Sequence, residues 1–384
     1  MDPILIIGTG LAGYGTAREL RKHDKDTPIV FVTRDDGASY YKPDLSEAHA
    51  KGQTPEDLIK KSAEEMAAEL DAQILTHRQV ESIDPAAREV RLNGDTLKYS
   101  KLVLAFGADP IVLQLGGDAT QAVHKINNLA DYRTFRRNLG EAKHIAVLGA
   151  GLIGCEFAND LLEAGYKVSV ADPAGWPLSQ LLPEACGKAV KRELAHAGVD
   201  WYLDHAAVAV HESGKQLEVV LDNDDTIRAD IVLSAVGLRA GVEIADKAGL
   251  TVDRGIVVDR SLRTSDPHIY ALGDCAEVDG HWRPYVGPLM QCARTLGKTL
   301  AGGAGDTPGQ VKYPTLPIIV KTHVCPVIVY PPVSTHGEWR IEGKSPNLEA
   351  AFVDADGQML GFALIGEATN KRRDYLKDAP PLME

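Results

Sequence analysis

Two segments of the chain share a pattern that strongly limits the possible folds: a short apolar run, a glycine-rich turn and a helix-like stretch. The first reads ILIIGTGLAGYGTAREL from Ile4, and the second reads IAVLGAGLIGCEFANDLL from Ile145. Both contain glycines at G-x-G-x-x-G spacing, namely Gly8, Gly10 and Gly13, and Gly149, Gly151 and Gly154. Such glycines permit a tight turn, close approach of a pyrophosphate and packing of helix on strand. Two dinucleotide sites are therefore expected, the alternative for either turn being a tight turn without a ligand.

The rest of the chain supports an α/β fold. Apolar runs alternate with stretches of helical period, which predicts parallel sheets covered by helices. REVRLNGDTLKYSKL and KQLEVVLDNDDTIRADI have the alternation and turn residues of antiparallel hairpins. With 384 residues the chain exceeds one ordinary core, so we expect two Rossmann-like dinucleotide-binding domains and a small C-terminal α+β domain.

The C-terminal region has its own character. From Tyr313 the apolar runs are interrupted by prolines, and Asp356-Gly357 suits a tight hairpin turn. The tail ATNKRRDYLKDAPPLME is expected to form a short helix that fades into disorder.

Composition excludes several classes of function. The net charge of -13 argues against non-specific nucleic-acid binding. The apolar runs are too short to span a bilayer, and the start lacks the features of a secretory signal, so a cytoplasmic location is expected. Five cysteines occur without a CxxC pair, which argues against zinc and iron–sulfur sites and favours buried, reduced thiols.

The strand after each glycine turn ends differently. YKVSVAD ends on Asp172, where a carboxylate accepts both hydroxyls of an adenosine ribose. Because no Lys or Arg follows promptly, NADH is expected to be preferred over NADPH; the alternative is that Asp172 only terminates its strand. In the first unit, Thr33 and Arg34 stand at this position, with Asp35 and Asp36 just beyond. There the Thr33 hydroxyl and backbone groups are candidates to hold the ribose, with Arg34 over the adenine or near phosphate.

The two turns and the late segment HIYALGDCAEV together resemble the two-dinucleotide-binding-domain flavoprotein family, which includes glutathione reductase and the ferredoxin and rubredoxin reductases. YYKPDLS, VKTH and the short C-terminal region are most similar to its bacterial rubredoxin and flavorubredoxin reductase branch. The resemblance covers nearly the whole chain. It implies FAD on the first turn and NADH on the second.

The resemblance also implies domain boundaries. LVLAFGADP and IVLSAVGLRAG are similar to the family's crossings between its two nucleotide domains. The expected FAD-binding domain is discontinuous, comprising residues 1–107 and 238–312. The NADH-binding domain is expected at 108–237 and the C-terminal domain at 313–384.

Site residues follow from the same resemblance. Asp274 would accept a hydrogen bond from the flavin ribityl chain, the alternative being a helix cap. A helix with Pro288 in its first turn would point its positive end at the flavin pyrimidine edge, unless that helix is merely structural. Lys42 and Glu156 would meet beside flavin N5 as catalytic residues, and Lys321 would reach the flavin edge. The alternatives are a surface lysine and a glutamate that serves its helix dipole.

Further cofactor contacts are implied at matching positions. In addition to the six turn glycines and the residues already named, they are Thr9, Leu11, Ala12, Pro43, Val80, Ile153, Gly237, Gly273 and Val286.

The segment TRDDGASYYKPDLSEAHAKG contains no cysteine. Disulfide reductases of the superfamily carry a C-x4-C pair in this region, and the NADH peroxidases and oxidases carry a single cysteine there. The resemblance therefore implies hydride transfer from NADH to FAD, followed by single-electron transfer to rubredoxin without a thiol relay. The alternatives are a ferredoxin or flavorubredoxin acceptor, or a non-enzymatic NADH-sensing flavoprotein of the apoptosis-inducing-factor type.

Overall fold

The structure is a computed structural model that describes residues 2–302 and 307–384. The elements of residues 2–110 belong to one parallel sheet and its attachments. They are β1 (Ile4–Ile7), α1 (Leu11–Arg21), β2 (Ile29–Val32), β3 (Ser39–Tyr40), a 3-10 helix (Lys42–Ser46), β4 (Ile59–Lys61), α2 (Ala63–Leu70), β5 (Ala72–Leu75), β6 (Val80–Asp84), β7 (Glu89–Leu92), β8 (Asp95–Lys98), β9 (Lys101–Leu104) and β10 (Ala108–Pro110).

A second sheet and its attachments follow. Their elements are a 3-10 helix (Thr120–Ala122), β11 (Val123–Lys125), α3 (Leu129–Leu139), β12 (His144–Leu148), α4 (Leu152–Glu163), β13 (Lys167–Asp172), α5 (Glu184–Ala197), β14 (Val199–Leu203), β15 (Ala207–Ser213), β16 (Gln216–Leu221), β17 (Thr226–Ala229), β18 (Ile231–Ser234) and β19 (Leu238–Ala240).

The chain then returns to the first sheet. This part comprises α6 (Glu243–Lys247), β20 (Ile256–Val258), β21 (Ile269–Ala271), a 3-10 helix (Gly273–Cys275), β22 (Ala276–Val278), β23 (His281–Trp282) and α7 (Val286–Ala301). The first sheet has the order β21-β9-β1-β2-β5 and the second β11-β18-β12-β13-β14. Both are parallel throughout. β1 is buried along its whole length, as expected for a strand covered on both faces.

The predicted hairpins are confirmed. β7 pairs with β8 across Asn93-Gly94, and β16 pairs with β17. The two predicted crossings also lie together, because β10 and β19 form an antiparallel ribbon. This ribbon joins the two parallel sheets at 108–110 and 238–240.

The C-terminal region forms an antiparallel sheet of order β24-β25-β28-β27-β26. Its elements are β24 (Ile318–Val320), β25 (Val327–Tyr330), β26 (Glu338–Lys344), β27 (Asn347–Val353), β28 (Met359–Ile365), a 3-10 helix (Gly366–Lys371) and α8 (Arg372–Asp378). Asp356-Gly357 lies in the β27–β28 turn, with Gly357 at a φ of +80°. The expectation that the tail is disordered is wrong: buried Met383 pairs with Tyr313, because returning there removes its apolar side chain from water.

Two large apolar cores hold these layers together. One surrounds the first sheet and includes α7 and Met383. The other joins Leu45 and Leu58, the helices α3 and α4, and the C-terminal sheet through Ile318 and Val320. Residues 45–58 therefore leave the first sheet to pack between the second sheet and the C-terminal sheet. Among the described helices, none combines the length and apolarity needed to cross a bilayer.

Candidate functional site

A cavity of about 1500 Å³ lies where the two parallel sheets and the C-terminal sheet meet. It receives side chains from the first glycine turn, the 3-10 helix at 42–46, α4, the start of α7, and β24 with the residues beside it. Many of the predicted cofactor residues line it, namely Gly8, Thr9, Gly10, Leu11, Ala12, Thr33, Arg34, Lys42, Pro43, Val80, Ile153, Glu156, Asp274, Val286 and Lys321. The sequence-derived set thus converges on one space.

The first glycine turn forms one wall of this cavity. Gly8 has a φ of +110°, and a Cβ there would lie 2.4 Å from the Ala105 carbonyl oxygen. A Cβ at Gly13 would lie 2.0 Å from the Gly8 carbonyl oxygen, whereas a Cβ at Gly10 would have no described atom within 4 Å apart from those of its adjacent residues. α1 begins after Gly10, and no side chain of the described residues caps it. Its first N–H groups therefore suit a phosphate.

Lys42 and Asp274 face each other across the cavity. The Lys42 Nζ donates to Asn127 Oδ1 at 2.8 Å, and Asn127 donates from its amide to the Ala108 carbonyl at 2.9 Å. Burial raises the pKa of Asp274 and lowers that of Lys42, while each charge favours the ionised form of the other. Among the described residues, no donor is recorded for the Asp274 carboxylate, so its oxygens are available to a ligand.

The prediction that Lys42 pairs with Glu156 is wrong, because among the described residues each has a different partner. Glu156 pairs with Lys321, whose Nζ lies 3.1 Å from Oε2 and whose backbone N–H donates to Oε1 at 3.0 Å. Ser46 Oγ donates to the same carboxylate at 2.6 Å. The reason is topological: β24 places Lys321 directly over the first turns of α4, while Asn127 holds Lys42 elsewhere.

The Lys321 ammonium is held by three groups. It donates hydrogen bonds to Ser46 Oγ at 2.8 Å and to the Pro43 carbonyl, and it forms the ion pair with Glu156. These contacts join Lys321 to Glu156 and to the 3-10 helix at 42–46. Lys321 also lines the cavity, and its reach toward a flavin edge stays a prediction.

The end of β2 is organised by a carboxylate that the sequence reasoning left without a role. Asp35 accepts hydrogen bonds from the Thr33 and Thr9 hydroxyls at 2.6 and 3.3 Å. It also accepts from the Gly37 N–H at 3.0 Å. The Thr33 hydroxyl thus donates within the protein. Arg34 lies at the exposed rim, 3.3 Å from Asp109.

The second glycine turn repeats the backbone of the first. Gly149 has a φ of +106°, and a Cβ at Gly154 would lie 1.9 Å from the Gly149 carbonyl oxygen. Asp172 Oδ2 accepts from the Ala150 N–H at 2.6 Å, and Oδ1 accepts from Ala174 at 2.8 Å. The carboxylate therefore braces the turn and keeps lone pairs for a ribose.

Some of the predicted cofactor residues do not line the cavity. They are Gly149, Gly151, Gly154 and Asp172 of the second glycine turn and its following strand, together with Gly13, Gly237 and Gly273. Gly237 and Gly273 both have positive φ, +116° and +77°. They shape the chain at the β18–β19 crossing and just before Asp274. At these two positions the positive φ values set the course of the backbone next to the site.

The start of α7 closes another side of the cavity. Tyr285 is its N-cap residue, and among the described residues no side chain caps it. Pro288 lies in its first turn and lacks an N–H. The N–H groups of Val286 and Gly287 are thus the donors at this positive helix end.

None of the five cysteine side chains lines this cavity. All five cysteines are free and buried, as predicted. Burial raises the pKa of Cys186 and Cys275 to about 12 and that of Cys292 and Cys325 to about 11, and raises that of Cys155 further. Within residues 2–302 and 307–384, no cluster of three or more His, Cys, Asp or Glu side chains could hold a metal ion.

The cavity fits a large dinucleotide. An uncapped helix and an open Gly10 suit the pyrophosphate, and a buried acceptor at Asp274 suits a polyol. The sequence reasoning missed Asn127 and Asp35 and gave Ser46 no role. Asn127 stands in KINNLADY, where paired asparagines before a helix were an available signal.

Comparison with known proteins agrees with this geometry. A family model described as pyridine nucleotide-disulphide oxidoreductase matches residues 2–296, and one described as rubredoxin binding C-terminal domain matches residues 310–379. The chain is 47% identical to a rubredoxin-NAD(+) reductase of Alcanivorax borkumensis, covering 100% of both chains. It is 42% identical to that of Acinetobacter baylyi, covering 99% of this chain and 98% of the relative.

A solved structure has the same architecture. The ferredoxin reductase of the CYP199A2 system from Rhodopseudomonas palustris superimposes with a TM-score of 0.87 at 27% identity, covering 99% of this chain and 96% of that one. Two parallel sheets, each with a glycine turn, together with the shared cavity define an oxidoreductase that uses a flavin and a pyridine nucleotide. The chain belongs to the pyridine nucleotide-disulphide oxidoreductase family. The predicted fold class and family are confirmed.

Proposed function

We propose that this chain is a FAD-dependent NADH:rubredoxin reductase. The observation that carries the proposal is the position of the C-terminal sheet. Residues matched by the rubredoxin-binding family model, including Ile318, Ile319 and Lys321, line the same cavity as the first glycine turn. A carrier bound to this sheet would be adjacent to the cofactor.

The proposal assigns each part of the chain a task. Residues 1–107 and 238–312 bind FAD, 108–237 bind NADH, and 313–384 receive the acceptor. The β10–β19 ribbon supports these boundaries because both crossings between the parallel sheets run through it. The volume of the cavity at the first turn, about 1500 Å³, supports FAD as the resident cofactor.

A bound flavin supplies the link between a two-electron donor and one-electron acceptors. The chain contributes binding and electrostatics. The first N–H groups of α1 bind the pyrophosphate, Asp274 accepts from the polyol, and the N-terminus of α7 favours negative charge at the ring. The Glu156 carboxyl group is held in one position in the cavity because the Ser46 hydroxyl and the Lys321 backbone N–H donate to it.

The sulfur-free route follows from residues 33–52, which contain no cysteine. The raised thiol pKa values leave little thiolate at neutral pH, and the thiolate is the reactive form. Electrons therefore leave the cofactor without a sulfur intermediate.

The rim of the cavity supports docking by apolar contact. Tyr41 and Ile319 line the cavity and are 41% and 52% exposed. The chain carries a net charge of -13, so an acidic iron protein would be repelled at long range. Apolar contact at the rim can still stabilise the docked complex, because it acts at short range and does not depend on the net charge of either protein.

The test pairs two exposed isoleucines. Ile319→Asp should lower kcat/KM for rubredoxin about 10-fold while leaving reduction of the flavin by NADH unchanged. Ile341→Asp is the matched control, since Ile341 is 37% exposed on β26 and lies outside the cavity lining. Equal effects of the two variants would contradict docking at the rim.

The acceptor itself is tested with wild-type protein. Rubredoxin should be reduced with a higher kcat/KM than a [2Fe–2S] ferredoxin. The structural likeness to a ferredoxin reductase makes that carrier the second candidate, and the reverse order of kcat/KM would select it. Flavin reduction by NADH that takes minutes, with a long-lived charge-transfer band, would select the sensor function instead.

A further inference from the structure

Helix α4 carries a row of polar side chains on a buried face. Glu156, Asn159, Asp160 and Glu163 stand at i, i+3, i+4 and i+7, and so share one side of the helix. Glu156, Asn159 and Asp160 are 4%, 1% and 2% exposed. Buried polar groups are costly unless hydrogen-bonded, so their partners show what the row does.

Beyond Glu156, the row continues the contacts made at the cavity. Asp160 Oδ1 accepts from the Ala50 N–H at 2.8 Å, and Oδ2 from the His49 N–H at 3.3 Å. Asn159 Oδ1 accepts from the Val324 N–H at 3.1 Å. At the exposed end, Glu163 pairs with His323 at 3.2 Å.

Among the described residues, the partners of this row belong to two segments, 46–50 and 321–324. The first continues the 3-10 helix that carries Lys42, Pro43 and Ser46, and the second begins with Lys321. Both segments are therefore attached to α4 at two levels, once in the cavity and once a helical turn below it. The lower level fixes the direction from which each segment enters the cavity.

We propose that Asp160 is a positioning residue for hydride transfer from NADH. It acts through the His49 and Ala50 amides, which hold Ser46 in the place where its hydroxyl bridges Glu156 and Lys321. Because α4 begins at the second glycine turn, the same helix would bind NADH at its N-terminus and, through Asp160, fix the positions of Glu156 and Lys321 beside the flavin ring. This inference rests on the proposed function.

Asp160 suits this role better than a packing role. Its carboxylate has two oxygens and uses each for a different consecutive amide, which fixes the segment against rotation as well as translation. An apolar side chain of similar volume would fill the space but would leave both N–H groups without their acceptor on α4.

The experiment uses the FAD-loaded full chain and follows flavin absorbance after mixing with saturating NADH in the absence of any acceptor. Asp160→Ala should slow the limiting rate of flavin reduction roughly 10-fold to 100-fold, the size expected from misplacement on the order of 1 Å. Asp160→Asn keeps an acceptor for one amide and should fall between Asp160→Ala and wild type. The apparent Kd for NADH should stay within about twofold in both, because Asp172 and the second turn are intact. Glu184→Gln, at an exposed carboxylate on α5, is the control.

A second readout does not depend on turnover. Amide hydrogen exchange in segment 46–50 should be faster in both Asp160 variants and unchanged in Glu184→Gln, while exchange in the first sheet stays at the wild-type rate. This separates local release of the segment from general loosening of the fold.

The outcomes are distinct. If both Asp160 variants retain FAD and reduce it at the control rate, or exchange rises throughout the protein instead of in 46–50, the inference is overturned. If only Asp160→Asn folds, a rate within about twofold of the control overturns it as well. Failure of wild-type protein to accept hydride from NADH would refute the proposed function instead.

Discussion

The two glycine turns share a backbone but differ in their surroundings. Gly8 and Gly149 have φ values of +110° and +106°, and the Cβ positions at Gly13 and Gly154 fall 2.0 and 1.9 Å from a turn carbonyl oxygen. Yet the first turn lies inside a cavity of about 1500 Å³, while the second lies outside its lining. The same turn geometry is therefore part of a large cavity in one sheet and lies outside that cavity in the other.

The carboxylates at the ends of the strands that follow the two turns, Asp35 after β2 and Asp172 on β13, also differ in their hydrogen bonds. At the first turn, Asp35 is occupied by Thr9, Thr33 and the Gly37 N–H. At the second, Asp172 braces Ala150 and Ala174 and stays half-buried. Both carboxylates are half-buried, so the difference lies in their partners: Asp35 joins two hydroxyls and a backbone N–H on one oxygen, whereas Asp172 binds a backbone N–H with each oxygen. Only the first of these turns lines the large cavity, which supports FAD as the resident cofactor and NADH as the visitor.

The strongest test of this comparison places a methyl group at equivalent positions. A Cβ at Gly10 or Gly151 would have no described atom within 4 Å apart from those of its adjacent residues, so the alanine variant should fold at either site. Gly10→Ala should weaken FAD binding about 100-fold, because the methyl occupies the space of a pyrophosphate. Gly151→Ala should keep its flavin and raise the apparent Kd for NADH. Yellow protein from Gly10→Ala with wild-type flavin affinity would remove the first turn from the FAD site.

Asp172 provides a sharper test of the second turn. Asp172→Ala removes both the proposed ribose acceptor and the brace on Ala150, so KM for NADH should rise about 30-fold and discrimination against NADPH should weaken. Asp172→Asn, which keeps an acceptor for Ala150 or Ala174, should have a smaller effect. Steady-state kinetics with both nucleotides measures this. Unchanged nucleotide preference in Asp172→Ala would refute the ribose role.

Local and distant parts of the site were not equally predictable. The glycine spacing and Asp172 follow from one strand–turn–helix unit, because their geometry is set within about 30 residues. The partner of Glu156, in contrast, could not be predicted from the local sequence. Lys321 lies 165 residues away, in a sheet whose packing against α4 depends on the second apolar core. The family resemblance therefore placed Lys42 and Glu156 in one cavity, as the structure has them, but it did not identify Lys321 as the partner of Glu156.

The helices after the two turns also differ in their buried polar groups, and this has a measurable effect on stability. α1 buries Thr16, whose hydroxyl donates to the Ala12 carbonyl, whereas α4 buries the Asp160 carboxyl. Burial raises the pKa of Asp160 to about 6, against the lowering effects of the Ala50 and His49 N–H groups and Arg136. The folded state therefore binds a proton more tightly than the unfolded state.

The direction of the pH effect follows from that raised pKa. The stabilisation by protonated Asp160 is complete below about pH 4 and is lost as pH rises through about 6. Relative to Asp160→Asn, the wild-type free energy of unfolding should therefore increase between pH 7 and pH 5, by roughly 1–2 kcal/mol. Urea unfolding of both proteins at the two pH values measures it. A difference that shrinks on acidification would contradict the raised pKa.

The smallest expected effect concerns sulfur, which neither turn uses. Cys155 follows Gly154 directly on α4, and Cys275 lies beside Asp274, so both are close to the site in sequence. Both are nonetheless buried, and the Cys155 Sγ lies 3.2 Å from the Ala150 carbonyl oxygen. Changing all five cysteines to Ala or Ser should keep NADH-dependent rubredoxin reduction within about twofold of wild type, while lowering thermal stability because buried contacts are lost. If the folded, FAD-loaded variant accepts hydride normally but reduces rubredoxin more than 10-fold more slowly, sulfur carries the electrons. Direct transfer from the cofactor at the first turn would then be wrong.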